Sequence, residues 1–166
     1  ATSIKQDDFV ESLFTANTHD FILCFSNLGQ VYWLKVYEVP RAGRGSRGKP
    51  IVNLLKLLPH EKVTSILPIK SFDDDRYVFM ATLKGTVKKT PLSDFSRPRQ
   101  SGIKAVQLDA GDYLIGSIIT DGKQDILLLS SKGKCVRFNE KDVRSMGRTA
   151  RGVRGIRMPQ GAKCIS

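Results

Sequence analysis

Arg41, Arg44, Arg47 and Lys49 fall within nine residues that contain no acid and three glycines. Arginine offers a planar fork that can take a phosphate through two hydrogen bonds, and glycine lets a backbone approach closely. The pattern recurs. Arg97, Arg99 and Lys104 stand in the equivalent stretch of a second unit, and Arg148, Arg151, Arg154 and Arg157 in a third. Lys84, Lys88, Lys89, Lys132, Lys134 and Arg137 lie beside nearby glycine turns and extend the same track. The chemistry on offer is neutralisation of a phosphate backbone rather than bond making.

The whole chain agrees. It has 166 residues, a net charge of +11 and a pI near 9.8. Segments 35–49, 84–104 and 132–157 hold 20 of its 27 basic residues and only four of its 16 acids. One solvated charge run needs no explanation, but three runs in register point to a polyanionic partner. The ordinary hydrophobic content argues against disorder, and no apolar run is long enough to cross a bilayer. The N-terminus lacks a signal-peptide core. Cys24, Cys135 and Cys164 form no Cys-x-x-Cys pair and read as small buried hydrophobes of a reducing, cytoplasmic compartment.

Other constellations carry less. Gly43-x-Gly45-x-x-Gly48-Lys49 imitates nucleotide loops, but Pro50 replaces the hydroxyl that would hold magnesium. The run Ile51–Leu55 reads as a strand, not the helix such a loop requires. His19-Asp20 reads as a turn-capping pair and His60 as a turn residue. Asp73–Asp75 lacks calcium-loop spacing and reads as a solvated acidic turn. No catalytic residue, metal site or cofactor is expected. Phe25, Tyr32, Trp33, Phe79 and Phe138 alternate in strand-like runs and read as core.

The elements that must carry these loops are short strands. Phe21–Phe25 and Gln30–Leu34 flank a turn ending at Gly29. Tyr77–Ala81 and Thr86–Thr90 flank Gly85, and Ile126–Leu129 and Lys134–Phe138 flank Gly133. These are hairpins. Further strands are expected over 51–55, 63–67, 103–108, 113–119 and 153–158. The hairpin glycines recur after 56 and 48 residues, and loop glycines follow at Gly48, Gly102 and Gly152. No window sustains a helical apolar period. Repeats of about 50 residues, with approximate units 7–63, 64–114 and 115–166, fit the blades of a propeller-like array. A blade must stack on neighbours and three are too few to close a disc, so the chain reads as part of a longer array.

Asn17–Ser26, Arg47–Leu55, Val78–Thr82, Gly85–Thr90 and Gly152–Arg157 resemble the C-terminal domain of the bacterial DNA gyrase A protein over nearly the whole chain. That resemblance implies an all-β fold, a propeller-like β-pinwheel with strands swapped between blades, here about three of an expected six. It implies double-stranded DNA as the partner, bound and bent around a basic rim without regard to sequence. It also implies assembly with the rest of the gyrase A protein and with the gyrase B protein, in a bacterial, nucleoid-associated holoenzyme that introduces negative supercoils. ATP, magnesium and the DNA-cleaving tyrosine belong to parts outside this chain, so Tyr32, Tyr37, Tyr77 and Tyr113 are not expected to cleave DNA. The family's Arg/Gly box precedes the segment corresponding to Ala1 and is not in this sequence, which implies binding without full wrapping. The alternatives are the paralogous topoisomerase IV C-terminal domain and a propeller that docks an acidic protein.

Overall fold

The computed structural model describes residues 16–43, 46–47, 51–72, 75–158 and 161–165. Ten strands are found there: β1 Phe21–Ser26, β2 Gln30–Lys35, β3 Val63–Ile69, β4 Tyr77–Thr82, β5 Thr86–Pro91, β6 Ile103–Lys104, β7 Leu114–Thr120, β8 Asp125–Leu129, β9 Cys135–Asn139 and β10 Val153–Arg154. Among the described residues there is no α-helix, only single turns of 3-10 helix.

The three hairpins close in the same way. The amide of Gly29 donates to Ser26 O, that of Gly85 to Thr82 O and that of Gly133 to Ser130 O, at 3.1, 3.0 and 3.0 Å. All three glycines have φ between +77° and +88°, where a Cβ would be strained. Seven residues beyond each glycine the chain turns off its strand into 3-10 helix, at Val36–Glu38, Leu92–Phe95 and Glu140–Asp142.

The sheets are β3-β1-β2-β6, β10-β5-β4-β7 and β8-β9, with every ladder antiparallel. Their order shows a swap. β6 follows the second basic loop yet pairs with β2 of the first sheet, Val31 opposite Ile103. β10 follows the third loop yet pairs with β5 of the second, Val87 opposite Val153. Each of these basic loops therefore crosses from its own sheet to the one before it.

Burial on both faces explains the packing. On β4, Val78 and Met80 face the first sheet in a core with Leu23, Phe25, Val31, Leu92 and Phe95. The alternate residue, Phe79, faces the third sheet with Val87, Ile126, Leu128, Val143 and Ile156. The rings of Phe25 and Phe95 meet edge-on at 5.8 Å across the first seam. Phe25, Tyr32 and Phe79 are buried, and Trp33 and Phe138 are half-buried against the same cores.

Several expectations are corrected. Residues 51–54 form a 3-10 turn, not a strand. That removes one argument against a nucleotide loop, but a single 3-10 turn supplies no helix of the length such a loop requires. Strand pairing in 103–108 and 153–158 stops after two residues. There Ala105 and Val106 both point their amides at Gly29 O, and Gly155 and Ile156 at Gly85 O. Two successive amides on one carbonyl break the ladder's alternation and steer the chain off the sheet. Cys24 and Cys164 are buried, but Cys135 is exposed. It lies on the outward face of β9 with Arg137, opposite Leu129 and Leu127, which are 37% and 54% exposed. The corresponding faces of the first two sheets are covered by the next sheet in the series.

Candidate nucleic-acid interface

The second and third basic loops are brought side by side. Arg148 donates from its guanidinium to Lys104 O at 3.2 Å, and the amide of Gln107 donates to Ala150 O at 3.1 Å. Arg151 pairs with Asp109 at 2.6 Å. Gly152 makes the approach possible. Its φ is +101°, and a Cβ there would collide with Val87 O and lie 3.2 Å from Lys88 Cβ. An open cavity of about 360 Å³ is lined by Lys35, Glu38, Leu55 and Lys56, which flank the first loop in sequence, and by Pro98 and Arg99 of the second.

Arg97, Arg99, Lys104, Arg151, Arg154 and Arg157 are exposed, and Arg148 is half-buried. Arg41 and Arg47 of the first loop are exposed too, while Arg44 and Lys49 lie outside the described residues. Lys84, Lys132 and Lys134 are exposed near the hairpin turns. Lys84 Nζ donates to Ala110 O at 2.8 Å in the turn before β7, and Lys134 Nζ to Arg157 O at 2.7 Å, so Lys134 also braces the third loop. The Arg151–Asp109 pair is more than half exposed on both sides, so it holds Arg151 weakly.

Lys88 and Lys89, expected on the track, are not on the surface. They are 1% and 7% exposed. Both faces of β5 are covered, so neither face of the strand leaves a lysine in water. Lys88 Nζ donates to Ala105 O at 2.7 Å and Arg148 O at 2.6 Å. Burial first, and the nearby Arg148 charge second, lower its pKa to about 7 against a smaller opposing effect of Asp94. Lys89 Nζ donates to Glu140 O at 3.0 Å and stands 4.9 Å from the centre of the Tyr77 ring. Arg137 is also displaced from the loops. It forks onto Asp125 at 2.6 and 3.0 Å, and with Asn139 it holds that carboxyl below its usual range.

The acids inside the fold serve turns. Glu61 accepts from Tyr32 Oη and Ser26 Oγ at 2.6 and 2.5 Å. Glu140 accepts from Thr120 Oγ1 and the Gln124 amide. Asp20 accepts from the Asn17 amide at 2.7 Å beside exposed His19. No group of three His, Cys, Asp or Glu among the described residues could hold a metal. No helix there is long and apolar enough to cross a membrane. Gln107 and Asp109 were not singled out by sequence, because their partners are a main-chain carbonyl and a distant arginine.

The profile of a family described as "DNA gyrase C-terminal domain, beta-propeller" matches residues 20–70, 76–121 and 124–166. The chain is 56% identical over its full length to the DNA gyrase A protein of Klebsiella oxytoca, and 52% to that of Escherichia coli K12. It spans 19% of the length of each. Among solved structures, the C-terminal domain of a DNA topoisomerase IV aligns with a TM-score of 0.89 at 28% identity. That match covers 99% of this chain and 51% of the other. A DNA gyrase A C-terminal domain aligns with a TM-score of 0.73 at 27% identity, covering 91% and 48%.

Proposed function

The chain belongs to the family of DNA gyrase C-terminal β-propeller domains, and we propose that it binds duplex DNA along the rim formed by its basic loops and bends the duplex around the pinwheel. The observation that carries this reading is the stitching of the second and third loops into one surface. That surface presents Arg97, Arg99, Lys104, Arg148, Arg151, Arg154 and Arg157, and Asp109 is the one acid paired with them among the described residues. Lys84, Lys132 and Lys134 would add to it, as would the exposed Arg41 and Arg47 of the first loop. Contact is with phosphates. Among the described residues there is no α-helix to enter a major groove, so base identity would not be read.

Arg137 is left out of this rim. It stands on the outward face of the third sheet, where the other two sheets bury Trp33 and Lys89 against a neighbour. Lys88 and Lys89 are left out because they are buried.

Within a gyrase the bent duplex would present a second segment to the DNA gate. Supercoiling would draw on ATP and magnesium held by other parts of a cytoplasmic complex of the gyrase A and gyrase B proteins. This chain would contribute binding and geometry and no bond-breaking step. The 0.89 TM-score to a topoisomerase IV domain supports a second reading, binding with little wrapping. The 56% identity to a gyrase A protein favours the first.

The test is binding to two unrelated linear duplexes across a salt series. Phosphate binding predicts equal affinities and a log–log slope of roughly −0.9 per phosphate neutralised. Different affinities for the two duplexes, or a flat salt response, would contradict it. A topological assay on closed circles separates the two readings, because wrapping fixes a supercoil sign and simple binding does not.

A further inference from the structure

We infer that Lys88 is a positioning residue that clamps the second and third basic loops to the sheet beneath them, fixing the spacing of the cations that meet DNA. The inference rests on the DNA-binding reading above. The placement of Lys88 is unusual. Lys88 lies three residues past its hairpin glycine. The same register holds Tyr32 in the first sheet and Val136 in the third. Packing alone would place an apolar or aromatic residue there, because burying a cation is costly.

The partners explain the lysine. Its two acceptors are main-chain carbonyls of different loops, Ala105 O of the second and Arg148 O of the third. Ala105 is itself fully buried, so its carbonyl depends on an internal donor. The tie is part of a closed ring. Lys88 holds Arg148 O, the Arg148 guanidinium returns to Lys104 O, and Lys104 adjoins Ala105, which Lys88 also holds. Three proposed DNA contacts, Lys104, Arg148 and Arg151, therefore sit on or beside the ring. A primary amine keeps two N–H groups even when neutral, so both ties can persist on either side of the pKa. Lys88 thus acts on DNA through the loops, without touching it.

The test is Lys88→Met, which keeps the length and removes the donors, measured on the full chain. Two amides are followed by hydrogen exchange. Gln107 bonds across the loop–loop seam to Ala150, and Ile156 bonds to Gly85 away from the clamp. Loss of two hydrogen bonds predicts about tenfold faster exchange at Gln107 with Ile156 unchanged, and about tenfold weaker binding to a linear duplex at fixed salt. The inference is overturned if Gln107 keeps its protection, or if duplex affinity is unchanged. It is equally overturned if Gln107 and Ile156 lose protection together or the variant does not fold, since Lys88 would then be a general support of the core. If the unsubstituted chain binds no duplex, the proposed function fails, and the two amides still decide whether Lys88 clamps the loops.

Discussion

Trp33 and Lys89 occupy the same register in successive sheets, four residues past Gly29 and Gly85, and each donates across a seam to a main-chain carbonyl of the next blade. Trp33 Nε1 reaches Phe95 O at 2.9 Å, and Lys89 Nζ reaches Glu140 O at 3.0 Å. One position thus serves as a fastener at both seams, through side chains of unlike chemistry. The fastened turns precede the second and third basic loops, so the seams help set where those loops begin.

Removing the fastener should loosen a seam. Lys89→Ala leaves Glu140 O without its lysine donor and strips the cation from the Tyr77 ring, so a loss of about 2–3 kcal/mol is expected. Trp33→Phe keeps most of the packing and should cost nearer 1 kcal/mol. Urea unfolding midpoints measure both, and equal small effects would argue against the shared role.

Gly152 is where the third loop touches β5. With φ at +101° and a prospective Cβ colliding with Val87 O, Gly152→Ala should cost about 2 kcal/mol or more and detach β10 from β5. Gly147→Ala, in the same loop with nothing within 4 Å of its prospective Cβ, should stay within about 0.5 kcal/mol. Thermal unfolding of the pair checks the contrast.

Stability should depend on pH through Lys88. Its pKa falls from 10.5 when unfolded to about 7 when folded, so the unfolded chain binds more protons between those values. Unfolding free energy therefore rises as pH climbs from 7, and the gain is lost as pH falls through 7. Above pH 9 the buried Cys24 thiol, pushed up to about 12, works in the opposite direction. Denaturant titrations between pH 7 and 9 should show the rise in the unsubstituted chain and a flatter profile in Lys88→Met.

The hairpins and their repeat were legible because positive-φ glycines between apolar β-formers leave a strong local signal, as at Gly29 and Gly85. Burial was not legible at Lys88 and Lys89. Their letters signal charge, and only the stacking of three sheets shows that both faces of β5 are covered. Cys135 misled in the opposite sense, being a buried type on an outward face. The 3-10 turn at 51–54 reads as a strand because Ile51 and Val52 are β-branched and the run to Leu55 is mostly apolar, and no local residue reveals the turn. The loop-to-loop ties are not legible because carbonyls such as Ala105 O and Arg148 O carry no sequence signal.

The most direct measurement is the salt dependence of duplex binding for the unsubstituted chain, for Arg99→Glu with Arg151→Glu, and for Lys70→Glu with Lys123→Glu as a charge-matched control, two exposed lysines that follow β3 and β7 outside the basic loops. If the stitched loops form the DNA surface, the arginine variant should lose affinity and its log–log slope should shrink by about two, while the lysine control keeps the parent slope. Equal slopes for both variants would mean that net charge alone attracts DNA and that the loops form no defined site.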